Sequence, residues 1–133
     1  MALQYSTTLR DNRLDVVETT IGTTPTLALF TGSPPANTTV ANSGTLISSM
    51  TLPSDWMAAA SGGTKALSGT WQDTSADDTG TIGYFRIYAS GGTCHMQGTC
   101  ANSGADMNFD NNVVNAGQQI TITSFTLTAG NGP

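Results

Sequence analysis

The sequence predicts an all-β protein, a two-sheet sandwich or jelly roll with a short N-terminal helix or arm. Three observations carry this. Residues 81–100 read as a β-hairpin whose two faces differ in chemistry. Threonine supplies 23 of the 133 residues, a composition that favours strands and turns over long helices. Beyond residue 22, short alternating runs are separated by Gly, Pro and Asn clusters at the spacing of sandwich strands.

In chain order, residues 1–22 stand apart as an N-terminal helical arm, and residues 23–133 as one β-sandwich domain. Leu14, Val17 and Ile21 recur at helical spacing, and Leu9 extends the stripe. Ser6 or Thr7 caps the start and Gly22 the end, giving a helix over 8–21. A helix this short is marginal alone. It docks either on its own sheet or, as an arm, on a partner. Pro25 then opens a strand over 26–31, apolar on both faces and therefore central or covered. Residues 32–43 form a loop stiffened by Pro34-Pro35. The next strand spans 45–52, with Leu46, Ser48, Met50 and Leu52 expected inward. Ser54-Asp55 begins a helical turn through Ala60, closed by Ser61-Gly62-Gly63. A strand over 64–71 sets Leu67, Gly69 and Trp71 on one side.

In the central hairpin, Gly91-Gly92 is read as a two-residue turn. Ala89 then faces Cys94, Ile87 faces Met96 and Phe85 faces Gly98 on an apolar face. Tyr88/His95, Arg86/Gln97 and Tyr84/Thr99 form the other face. Ala105, Met107 and Phe109 alternate in a short strand, and turn residues flank Val113-Val114. In the run 118–128 the apolar phase shifts between Ile122 and Phe125. That implies a β-bulge near Thr123 or Ser124, or a strand that changes sheets there. The tail 129–133 is expected to fray.

Charge excludes several functions. Only 10% of residues are charged, against about 25% usually. None lies between Glu18 and Asp55, and none follows Asp110. The four basic residues, Arg10, Arg13, Lys65 and Arg86, are too few and scattered for nucleic acid or an anionic membrane. Met1-Ala2-Leu3-Gln4 has no leader-like pattern and no transmembrane span is visible. Synthesis in a cytoplasm is therefore expected, with Cys94 and Cys100 as reduced thiols. On a straight strand they would lie roughly 20 Å apart, beyond the about 7 Å a disulfide tolerates.

Catalytic patterns are absent from the sequence, and no cofactor or metal is expected. His95 is the lone histidine, and Cys94/His95/Cys100 lacks a fourth zinc ligand. There is no G-x-S-x-G, phosphate loop, dinucleotide fingerprint or Cys-x-x-Cys. Asp73, Ser75, Asp77 and Asp78 begin like a calcium loop, but Asp78 and Tyr84 stand where glycine and glutamate are required. A solvated polar loop is the default expectation, and a looser calcium site shared with another loop is the alternative. Asp106 and Asp110 flank a strand with nothing to separate their acidities.

The runs LRDNRLDVVETTIGTTPTLALFTGSPPA, LPSDWMAAASGG and GTWQDTSADDTGTIGYFRIY resemble small virion proteins of tailed bacteriophages, among them capsid decoration or cement proteins. The resemblance implies a non-enzymatic β-sandwich or jelly-roll unit on the outer capsid surface. Its partners would be the major capsid protein and other copies of itself, as a homo-oligomer. Arg10, Arg13, Leu14 and Val17 on the helix, and Tyr84, Arg86 and Tyr88 on the hairpin, are the expected contacts, because tyrosine and arginine are favoured at interface centres. The alternative is a carbohydrate-binding or host-adhesion module on a phage tail or fibre, using the same tyrosines.

Overall fold

A computed structural model describes residues 3–132 of the chain. It is mostly β, with one short helix. The helix α1 spans Thr7–Ile21; the Ser6 hydroxyl accepts from the Leu9 N–H, and the Gly22 N–H donates to the Glu18 carbonyl. Cap and stop thus fall where the sequence placed them. Of the stripe, Leu14 and Ile21 are buried and Val17 half-buried, but Leu9 is 45% exposed and does not extend it.

The main sheet runs in the order β2 (Leu46–Thr51), β1 (Thr26–Thr31), β5 (Gly80–Tyr88), β6 (Cys94–Ala101), β7 (Met107–Asn108), with β8 (Val113–Val114) pairing the start of β5. All these pairs are antiparallel except the stub β6–β7. Two small sheets lie apart from it: β3 (Thr64–Ala66) with β10 (Thr126–Thr128), and β4 (Trp71–Asp73) with β9 (Ile120–Ile122). β1 is central, as its two-sided apolarity required. Leu27 and Leu29 enter the main core with Trp56, Trp71, Phe85 and Ile87. Ala28 and Phe30 face the other way, into a small cluster with Tyr84.

In the central hairpin, Tyr84↔Thr99, Phe85↔Gly98, Arg86↔Gln97 and Ile87↔Met96 pair as expected. Its turn differs. Ala89 accepts from the Gly92 N–H and donates to the Thr93 carbonyl, so Ser90-Gly91-Gly92 is a three-residue loop, with Gly92 at φ +99°. Tyr88 therefore pairs with Cys94, not His95. His95 is the extra residue of a bulge that restores the predicted register below it. The two-residue glycine turn occurs instead at Gly62-Gly63, where both φ angles are positive and Ser61 and Thr64 exchange both backbone bonds.

Several other expectations need correction. Ser54-Asp55 does begin a turn, but 56–60 is extended rather than helical, and Met57 bridges Leu67. That places Trp56 and Met57 in the core. The strand read over 64–71 breaks at Ser68-Gly69 into β3 and β4. Leu46 points outward because the β1–β2 register shifts beside it, leaving Ile47 as the inserted residue. The phase change in 118–128 is a change of partner: β9 pairs β4, then β10 pairs β3. The C-terminal residues are not frayed as far as they are described. Ala129 is buried and bonds to the Gly63 carbonyl, and the Asn131 carbonyl accepts from the Tyr5 N–H. Met1, Ala2 and Pro133 lie outside the described residues.

Candidate interaction surfaces

Helix α1 docks on its own chain, and its charges do the docking. Asp11, Asp15 and Glu18 share one helical face. Asp11 accepts from the Gly63 N–H at 2.7 Å and Asp15 from the Ala60 N–H at 2.9 Å. Lys65 is 1% exposed, and its three ammonium protons are met by Asp15 at 2.7 Å, Glu18 at 2.9 Å and the Ala58 carbonyl at 2.9 Å. Hydrogen bonds from Lys65 and then Ala60 hold the Asp15 carboxyl below its ordinary 3.8. Burial works to lower the Lys65 pKa, but its two carboxylate partners outweigh this and raise it above 10.5. Arg10 donates twice to the Ala129 carbonyl, and the indole N–H of Trp56 donates to the Gly22 carbonyl at 2.9 Å. Leu14 and Ile21 are core residues, so α1 is integral to the packed structure rather than a detachable arm.

The outer face of the hairpin is covered by the chain's own loop. Tyr84 and Arg86, expected at an open interface, are 0% and 2% exposed. The Tyr84 hydroxyl donates to the Ser43 carbonyl at 2.6 Å and accepts from the Ser43 N–H at 3.0 Å, while its ring stacks on Phe30 at 4.9 Å. Arg86 donates to the carbonyls of Val40 at 2.7 Å and Asn37 at 3.2 Å, and to the Gln97 amide oxygen at 3.1 Å. Gln97 in turn donates to the Pro35 carbonyl. These side chains fasten residues 35–43 across the sheet. The hairpin face therefore recognises a segment of its own chain. Tyr88 is half-buried at the margin, beside an open hollow of ≈ 380 Å³ lined also by Thr26, Ala28 and Leu46.

Of the expected helix contacts, Arg13 is exposed and lies over the Tyr5 ring at 5.1 Å. Leu14 and Val17 wall a groove of ≈ 560 Å³ between α1 and the sheets, with Phe85, Met96, Phe125 and Leu127 opposite and Gln97 and Asp106 at its margin. Val17 also borders a hollow of ≈ 230 Å³ with Val16, Thr20, Ile21 and His95. Val16 is 59% exposed. The apolar surface is thus continuous along α1. Met96, Phe125 and Leu127 escaped sequence reading because their alternation marks them as core. Phe125 is fully core, whereas Met96 and Leu127 pack on the core but stay partly uncovered.

Nothing among the described residues gathers three His, Cys, Asp or Glu side chains around a point. His95 is exposed on its bulge. Burial raises the Cys94 thiol above 9.0 against the nearby Arg86 charge, and raises Cys100 to about 12, where Asp106 adds to the effect. Thiols so perturbed are poor nucleophiles at neutral pH. In the Asp73–Asp78 loop, Asp73 accepts from the Ser48 hydroxyl and the Ser75 N–H, and Asp78 from the Thr79 N–H. These carboxylates organise local backbone. No described helix is long and apolar enough to cross a membrane. Comparison with protein-family models, with curated proteins and with solved structures returns no match.

Proposed function

We propose that this chain is a structural virion protein, a capsid decoration or cement protein that binds the assembled lattice of major capsid protein and stabilises it. The observation that supports this most is the groove along α1. It is an apolar surface formed by the half-buried Val17, Met96 and Leu127 over the buried Leu14, set in an exterior of hydroxyls and amides with few charges. Such a surface costs little to desolvate and suits a neighbouring protein better than a small substrate. The role is non-enzymatic. In this reading the main sheet and the two small sheets form the layers of a jelly-roll sandwich, with the Trp56–Trp71–Phe125 aromatic cluster between them. Copies of the chain assemble with one another on the outer capsid surface. A protein that binds only assembled lattice stabilises it by mass action. The contacts now assigned are Val16 and Val17 on α1, Met96 and Leu127 across the groove, and Tyr88 at the rim of the second hollow. Arg13 lies on the exposed side of the same helix.

Cosedimentation of purified protein with bare capsids tests the proposal. Stoichiometric addition that Val16→Asp abolishes, with the melting temperature of the free protein unchanged because Val16 is 59% exposed, supports it. Absence of addition at saturating protein refutes it.

A further inference from the structure

We propose that the cavity between residues 108–111 and 118–123 is a binding site for a single neutral saccharide ring, separate from the α1 groove. The cavity holds ≈ 270 Å³, just below the about 300 Å³ at which pockets for drug-sized ligands begin. One pyranose ring is of that scale. Phe109, Val114 and Ile120 line it and are buried; Asp110, Asn111, Gln118, Gln119, Thr121 and Thr123 line it and are exposed. An apolar floor under a polar rim matches a sugar, whose C–H face and hydroxyl edge need both.

The rim has unused hydrogen-bonding capacity. Asn111 spends only its side-chain oxygen, on the Val113 N–H at 3.0 Å, and its amide N–H groups remain free among the described residues. Gln118 likewise spends its oxygen on the Asn115 N–H at 3.1 Å. Gln119 directs its N–H to the Thr121 hydroxyl at 3.4 Å and keeps its oxygen. The exposed Asp110 carboxylate adds a strong acceptor. Donors and acceptors therefore stand side by side, as hydroxyls that both donate and accept require. Asn111 and Gln118 are already held by backbone N–H groups, which reduces the ordering cost of binding.

The same inventory rejects other ligand classes. No Lys, Arg or His lines the cavity, and Asp110 with the net charge of −5 repels anions. One carboxylate is too few for calcium, which takes 6–8 oxygen ligands, several of them carboxylates.

The test is titration of the isotope-labelled protein with glucose, galactose, mannose, rhamnose, N-acetylglucosamine and N-acetylgalactosamine, read by amide chemical shifts. At least one sugar is expected to move amides of 108–111 and 118–121 saturably. Asp110→Ala is expected to weaken that sugar about tenfold or more, without changing the melting temperature. No shift with any sugar, shifts that survive Asp110→Ala, or shifts located elsewhere would overturn the proposal. So would an equal response to calcium chloride alone. Asp110→Ala should leave capsid addition intact, so failure here and failure of the lattice reading are distinguishable.

Discussion

Lys65 and its two carboxylates predict an asymmetry. The ammonium is 1% exposed, whereas the Asp15 and Glu18 side chains are 44% and 23% exposed. Neutralising both acids, as Asp15→Asn with Glu18→Gln, leaves a buried cation without an anion. Stranding a buried charge costs about 3–5 kcal/mol. Lys65→Met removes the cation, keeps most of its apolar stem, and frees carboxylates that already reach water. Its expected cost is about 1–2 kcal/mol, the net loss of the ammonium's hydrogen bonds. The gap of about 2 kcal/mol corresponds to several degrees of melting temperature for a domain of this size. Urea denaturation at neutral pH measures both variants, and amide exchange of α1 shows whether the loss is helix undocking. Equal losses, or a larger loss in Lys65→Met, would refute the assignment of the burial cost to the lysine.

Tyr84→Phe keeps the stack on Phe30 but leaves the Ser43 N–H and carbonyl without their partner. The expected loss is about 1–3 kcal/mol, with faster amide exchange in residues 36–43; unchanged exchange there would show that the hydroxyl does not fasten the loop. A Cβ on Gly98 would sit 2.7 Å from the Phe85 ring and 2.8 Å from the Asp106 carboxylate. Gly98→Ala should therefore cost about 1–3 kcal/mol through overpacking, measured by thermal melting, and a neutral result would mean the β6–β7 loop yields freely. Stability should also follow the shifted groups. The depressed Asp15 pKa gives stability that is present above pH 3.8 and lost as pH falls through the lower folded value. The raised Lys65 pKa gives stability that is full below 10.5 and lost as pH rises through the folded value. Cys100, held neutral to about 12, opens the alkaline decline earlier, from its unfolded 9.0. Asp15→Asn should flatten the acid limb of a melting-temperature profile, and an unchanged limb would rule Asp15 out as its source.

Local chemistry made much of this fold legible. Ser6, Gly22 and the Leu14/Ile21 spacing define α1, and Pro25 with the TLALFT alternation defines β1, because caps and periodicities act over a few residues. What escaped depends on distant partners. The same Gly-Gly pair closes a two-residue turn at 62–63 and a three-residue loop at 91–92, so the dipeptide alone does not choose. Lys65 reads as a surface residue until Asp15 and Glu18 are placed over it. Tyr84 and Arg86 read as an open face because the carbonyls of Asn37, Val40 and Ser43 that cover them carry no side-chain signal. For the candidate surface, Leu14 and Val17 were visible as a stripe. Met96 and Leu127 were not, since partial coverage of a core residue is a tertiary property.

The most direct measurement is the thermal disruption of bare capsids with and without this protein, alongside Val16→Asp. The wild-type chain should bind at a fixed ratio and raise the disruption temperature, and the variant should do neither while melting normally by itself. Capsids that come apart at one temperature under all three conditions would contradict a lattice-clamping protein.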